Sequence, residues 1–198
     1  GAAPANWAIV NGEEKTGVTT MFIEEELDSG PILLQRKTLI GETETAPELM
    51  RRLSEVGADL LSETLSQLNT VTPRPQHDRD ATFAPILTRL HGRIDWSTPA
   101  STIERCIRGF QPWPNAYTFF KSHRLIIWKA SVETELAGED AAPEGEVIVA
   151  HGDDLLVRCG QGTVLRLIEV QPEAKRRMIV RDFLNGAHLQ IGDRFGEV

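Results

Sequence analysis

The chain has 198 residues, of which 40% are hydrophobic and 25% charged, and a net charge of -8, so it can bury one good core or two modest ones and is not of disordered composition. No apolar run approaches the roughly 20 residues of a membrane helix, and the first residues lack the basic and apolar regions of a signal peptide; a cytoplasmic protein with no membrane partner is expected. Cys106 and Cys159 are the only cysteines, far apart and without a CxxC, and the five histidines stand singly, so neither a disulfide framework nor a metal site is expected.

In chain order, Gly1-Ala-Ala-Pro4 leads directly into an expected helix from Asn6 to Asn11, with no preceding strand for it to pack on. That start reads as a chain cut from something longer. Two apolar runs, Val18 to Ile23 and Pro31 to Leu34, flank a carboxylate-rich turn closed by Gly30, which predicts strand, loop and strand with Asp28 at the loop's end. An Asp before Ser-Gly is also ordinary turn chemistry, its side chain bonding the backbone two residues on. After a polar bridge, Thr45-Ala-Pro-Glu48 forms a capping box. Leu49, Leu53, Val56, Leu60 and Leu68, with Leu61 and Leu65 beside them, then recur at helical steps and predict one apolar stripe packed on a sheet.

Val71 to Pro85 is rich in proline and charge with little apolar periodicity, as in an extended linker. The division expected is 1–72, a linker at 73–88, and 89–198. Beyond it, Thr98 as cap and Pro99 at the first helical position open a short helix. Ile103, Cys106, Ile107 and Phe110 give that helix one buried face, and Pro112-Trp-Pro114 stops it. Arg105 and Arg108 stand off that face, either as solvated charges or as RNA contacts.

Five short β-branched or aromatic runs follow, Tyr117 to Phe120, Leu125 to Trp128, Val147 to Val149, Leu155 to Val157 and Val164 to Val170. With the helix alongside, they predict a small barrel of the oligonucleotide/oligosaccharide-binding (OB) type. Lys175, Arg176 and Arg177 make a basic turn that reads equally as phosphate contact or exposed turn. Val180, Phe183 and Leu184 form a last helix, with Asn185-Gly186 as its stop.

The charge is uneven. Residues 1–75 carry 6 lysines and arginines against 12 acids, whereas residues 86–198 carry 14 against 15, six of those acids lying between Glu133 and Glu146. Without that acidic stretch the second half is net basic, which leaves room for a basic face.

Gly1-Ala-Ala-Pro4, Asn6-Trp-Ala8, Gly12, Thr16-Gly-Val-Thr19 and Leu27-Asp-Ser-Gly30 together resemble the second half of the catalytic domain of the methionyl-tRNA formyltransferase family. Ile94-Asp-Trp96, Ile107-Arg-Gly-Phe110, Pro112-Trp-Pro114, Trp128-Lys-Ala130, Lys175-Arg-Arg-Met178 and Asp182-Phe-Leu-Asn-Gly186 resemble its C-terminal domain, in order and over nearly the whole chain. The fold class implied is α/β plus β: the C-terminal part of a Rossmann-like formyltransferase domain, then an OB-like β-barrel.

The activity implied is transfer of a formyl group from 10-formyltetrahydrofolate, as co-substrate and without a metal, to the amino group of methionyl initiator tRNA, by a monomer. The family's catalytic aspartate falls on Asp28. Its folate-contacting loop falls on Ile23, Glu24, Glu25 and Glu26, and its RNA-binding positions on Arg108, Lys175, Arg176 and Arg177. The family's Asn-x-His motif and Ser-Leu-Leu-Pro segment belong just upstream of Gly1, so these 198 residues alone are expected to be inactive or nearly so. The alternatives are a folate-dependent formyltransferase acting on a nucleotide-linked amino sugar, the hydrolase domain of formyltetrahydrofolate dehydrogenase, and a non-catalytic RNA-binding fragment.

Overall fold

The structure is a computed structural model that describes residues 1–77, 79, 81–134 and 142–196. The chain opens with helix α1 (Pro4–Val10), a proline in its first turn, and strands β1 (Lys15–Met21) and β2 (Ile32–Leu39). The two strands pair antiparallel from Lys15 opposite Leu39 to Met21 opposite Ile32, with a bulge at Thr20/Met21. β2 runs five residues past the expected Leu34, through Gln35, Arg36, Lys37, Thr38 and Leu39, of which only Thr38 is partly buried.

Helix α2 (Ala46–Ser66) starts where expected: the Glu48 carboxylate accepts from the Thr45 N–H at 2.9 Å and the Thr45 hydroxyl at 2.7 Å. Its apolar stripe is narrower than the leucine spacing suggests. Leu49 and Leu60 are buried, whereas Leu61, Leu65 and Leu68 are exposed. Among the described residues only the β1–β2 hairpin and α1 pack extensively on this helix, and they cover the side that carries Leu49 and Leu60. The helix meets the hairpin closely at Gly57, where a Cβ would lie 3.4 Å from Val18 Cγ1, and through a 2.8 Å hydrogen bond between the Thr20 and Thr64 hydroxyls.

Residues 73–77 and 81–88 form no helix, and Arg74 makes an isolated bridge to Ile32. Arg74 and Ile32 exchange backbone hydrogen bonds of 2.8 and 2.9 Å, and the Ala2 N–H donates to the Ala84 carbonyl at 2.9 Å. The segment is therefore laid along β2 and the chain's first residues.

The second half holds helix α3 (Ala100–Gly109), strands β3 (Ala116–Phe120), β4 (His123–Glu133), β5 (Val147–His151), β6 (Asp154–Arg158), β7 (Val164–Pro172) and β8 (Met178–Ile179), and helix α4 (Val180–Ala187). All five expected strands are present. They pair antiparallel in the order β3-β4-β7-β6-β5, with β8 added on β7. Among the described residues no ladder joins β3 to β5, so the sheet does not close by hydrogen bonding. Its inner face, with Leu125, Ile127, Leu155, Val157, Leu165 and Leu167, packs against Ile103 and Ile107 of α3 and Phe183 of α4 in one core.

Two helix ends differ from expectation. Pro99, not Thr98, is the N-cap residue of α3, and the Ala100 N–H is satisfied by the Thr163 hydroxyl at 2.8 Å, a cap delivered from the start of β7. Helix α4 passes through Gly186 and ends at His188, whose φ of 48° and ψ of 40° supply the left-handed turn. Residues 135–141, half of the acidic stretch from Glu133 to Glu146, lie outside the described residues.

Helix α1 joins the two halves. The Asn6 amide, itself buried, donates to the Gly109 carbonyl at 2.7 Å. Gly109 permits that approach, since a Cβ there would sit 2.6 Å from Val10 Cγ2. Trp7 sets its ring edge-on to Phe110 and His91, centroids 5.7 and 5.2 Å apart, and donates its indole N–H to the Pro85 carbonyl at 2.8 Å.

Candidate functional site

Asp28 sits at the end of the loop between β1 and β2, where the chain must reverse. Its φ is 57°, a left-handed conformation that aspartate tolerates better than most residues. Gly30, two residues on, is dictated by contact: a Cβ there would lie 1.8 Å from the Phe22 carbonyl oxygen. The loop's neck is closed by the Phe22 N–H donating to the Pro31 carbonyl at 3.1 Å, and Ser29 donates its hydroxyl to the Glu26 carbonyl at 2.9 Å.

The Asp28 side chain is 68% exposed and faces a cavity of about 840 Å³, lined also by Gly1, Leu27, Gln76, Phe83 and Pro85. The Gly1 nitrogen donates to Asp28 Oδ2 at 2.9 Å. A carboxylate at the end of this loop and open to a cavity is placed to accept or relay a proton, or to orient a cationic donor. Ile23 and Glu24, Glu25 and Glu26 lie on the same loop, all exposed, with Ile23 and Leu27 almost wholly in solvent.

The other expected residues lie elsewhere. Lys175, Arg176 and Arg177 fall between β7 and β8, and all three are exposed. The turn is anchored by a relay the sequence did not announce: the Trp128 indole donates to Gln171 Oε1 at 2.9 Å, and the Gln171 amide donates to the Lys175 carbonyl at 3.0 Å. Arg177 lies over the Trp128 ring, 4.9 Å from its centroid, and pairs with Glu169.

Arg108 is largely buried. Its Nε donates to Glu104 at 2.6 Å and its Nη1 to the Glu44 carbonyl at 2.9 Å, so it ties α3 to the loop before α2. The Glu44 carboxyl is held below the usual carboxylate range, first by its hydrogen bond from Arg52, against an opposing push from burial. Arg108 and Arg177 share the lining of a second cleft of about 710 Å³, with Arg51, Arg52 and Lys129. Glu44, Glu48, Glu104 and Glu169 line it too, so its charge is nearly balanced. The structure thus brings Asp28 and Glu26 together at one cavity and Arg108 and Arg177 together at another; Ile23, Glu24 and Glu25 share the loop of Asp28 but do not line its cavity.

Among the described residues, no group of three or more His, Cys, Asp or Glu side chains is arranged to hold a metal ion, and no helix is long and apolar enough to cross a membrane. Burial pushes the Cys106 thiol up to about 11 and the Cys159 thiol up to about 12, so neither is poised as a nucleophile.

Residues 1–65 match the family described as Formyl transferase, and residues 87–188 match Formyl transferase, C-terminal domain. The chain is 48% identical over 199 residues to a methionyl-tRNA formyltransferase of Solibacter usitatus, covering 100% of this chain and 62% of that one. It is 44% identical over 194 residues to one from Caldanaerobacter subterraneus, covering 97% and 61%. It therefore spans about three-fifths of the length of these curated relatives. A solved structure of HypX from Aquifex aeolicus in complex with tetrahydrofolic acid has the same fold, with a TM-score of 0.68 at 19% identity, over 96% of this chain and 34% of that one.

Proposed function

The chain belongs to the formyl transferase family, and from that premise we propose that it serves the transfer of a formyl group from 10-formyltetrahydrofolate to the α-amino group of methionine carried by initiator tRNA, in the cytoplasm. Residues 1–72 are the C-terminal part of a Rossmann-like catalytic domain, 73–88 the linker, and 89–198 an OB-like domain that binds the tRNA.

The observation that carries the reading is the setting of Asp28 at the head of the 840 Å³ cavity. In the reaction the amine nitrogen forms a bond to the formyl carbon, the carbon's bond to N10 of the folate breaks, and the proton lost by the amine ends on N10. The intermediate carries an oxyanion that needs hydrogen-bond donors. Asp28 supplies the complementary charge: it orients and charges a donor beside it and manages the amine's proton.

Ile23 and the backbone of Glu24 to Glu26 contact the pterin ring. Lys175 and Arg176 meet tRNA phosphates, and the exposed Arg177 is stacked on Trp128 and paired with Glu169; Arg108 serves the joint between the halves rather than a phosphate.

The test uses the protein as its source organism makes it, supplied with 10-formyltetrahydrofolate and either methionyl initiator tRNA or a nucleotide-linked amino sugar. Formylmethionyl-tRNA is the expected product; formylation of the sugar alone would overturn the reading. Binding of tRNA should weaken steeply with salt, with a shallower slope when Lys175 and Arg176 are changed to Ala.

A further inference from the structure

Beside Asp28 is a contact that the functional reading does not use. The Gln76 side-chain amide reaches back from the linker to the loop between β1 and β2, and donates to the Asp28 carbonyl at 2.8 Å and the Gly30 carbonyl at 2.8 Å; Met21 Sδ is a further, weaker neighbour at 3.5 Å. A primary amide has two N–H hydrogens, so one group serves both carbonyls at once. From these contacts we infer that Gln76 is a positioning residue for the Asp28 carboxylate, an inference that rests on the reading of Asp28 as the catalytic acid–base group.

Three features support it. First, the reach is built in: the paired hydrogen bonds between Arg74 and Ile32 fix the linker against the start of β2 and deliver residue 76 to the loop's mouth. Second, the two carbonyls belong to the Asp28–Ser29 and Gly30–Pro31 peptides, so holding both fixes the chain at either end of Ser29-Gly30, and the first of them constrains the peptide plane that leaves Asp28. Third, Asp28 adopts a φ of 57°, a conformation that costs a non-glycine residue about 1 kcal/mol or more and persists only where neighbours hold it. Apolar packing adds little to that hold, since Ile23 and Leu27 bury almost nothing, and Gln76 joins the Ser29–Glu26 and Phe22–Pro31 hydrogen bonds in holding the loop.

The chemistry of residue 76 is narrow. Glutamate has the same shape but presents oxygens to two carbonyl oxygens, asparagine is one methylene shorter, and alanine leaves both acceptors to water.

The test compares Gln76→Ala and Gln76→Glu with Asp28→Ala, in the protein as its source organism makes it, by steady-state formyl transfer to methionyl-tRNA. A misplacement of about an ångström costs up to about a hundredfold in rate. Gln76→Ala should therefore lower kcat about tenfold or more, and Gln76→Glu further, with KM for folate and tRNA within about twofold of the parent.

Amide hydrogen exchange should quicken across residues 22–30 and stay unchanged in β3 to β7. If both Gln76 variants keep kcat within about threefold of the parent while Asp28→Ala is inactive, or if the loss falls on KM alone, the inference is wrong. If Asp28→Ala is itself fully active, the underlying reading of Asp28 fails, and exchange of residues 22–30 still reports separately whether Gln76 holds the loop.

Discussion

Replacing Gly30 by alanine tests how tightly the loop's shape governs the site. The added Cβ would lie 1.8 Å from the Phe22 carbonyl oxygen and 2.8 Å from its carbon, where real Cβ atoms essentially never come within 3.0 Å. The neck must therefore open by more than an ångström. Opening lengthens the Phe22–Pro31 hydrogen bond, now 3.1 Å, worth about 1 kcal/mol, and adds overpacking strain of about 1–3 kcal/mol. Because the loop is largely exposed and free to swing outward, the lower end applies, about 2 kcal/mol in all, or a fall in Tm of about 4–8 °C for a chain of this size. Catalysis should suffer more, since Asp28 is carried along by the same displacement: kcat should drop about a hundredfold. Calorimetry and steady-state formylation by the protein as its source makes it measure the two effects. A Gly30→Ala variant with kcat within about threefold of the parent would refute the claim that loop geometry positions Asp28.

Removing the Asn6 amide by Asn6→Ala leaves the Gly109 carbonyl at the end of α3 without its 2.7 Å donor; this should cost about 1–3 kcal/mol, read as a lower urea midpoint, and an unchanged midpoint would contradict it. Because burial raises the thiols of Cys106 and Cys159 to about 11 and about 12, from 9.0 when unfolded, the stability linked to them is intact below pH 9.0 and lost as pH rises through that window. Both thiols should resist alkylation in the native protein at about pH 8 and react once it is denatured. The carboxyl of Glu44 is held below 4.5 by Arg52, so its contribution is present above 4.5 and lost as pH falls through the lowered value; Glu44→Gln should flatten the acid limb of the stability curve, measured by urea titration at each pH.

Much of this architecture was readable along the chain because it is local. The capping box at Thr45, the strand–loop–strand around Asp28 and the five β-rich runs depend on residues a few positions apart, where periodicity and turn chemistry act. What escaped depends on partners far away in sequence. The α3 N-terminus is capped from 63 residues on by Thr163, Arg108 is drawn to the Glu44 carbonyl 64 residues back, and Gln76 holds carbonyls 46 and 48 residues before it. None of these leaves a local pattern. The exposed Leu61 and Leu65 make the same point from the other side: the spacing was helical, but which leucines are buried depends on what packs over the helix, which spacing does not encode. At the site, Asp28 and its loop were visible as turn chemistry, and only the resemblance singled the aspartate out for catalysis. The Trp128–Gln171–Lys175 relay that shapes the basic turn was invisible without the register of β4 against β7.

The account rests most heavily on the Asp28 carboxylate. Its direct test is the rate of formyl transfer from 10-formyltetrahydrofolate to methionyl initiator tRNA by Asp28→Ala beside the parent, both in the form the source organism makes. Loss of an acid–base group should lower kcat by about a hundredfold to ten-thousandfold and leave tRNA affinity as it was, because Lys175 and Arg176 stand on a different part of the molecule. A variant that turns over within about threefold of the parent would contradict the assignment of this site.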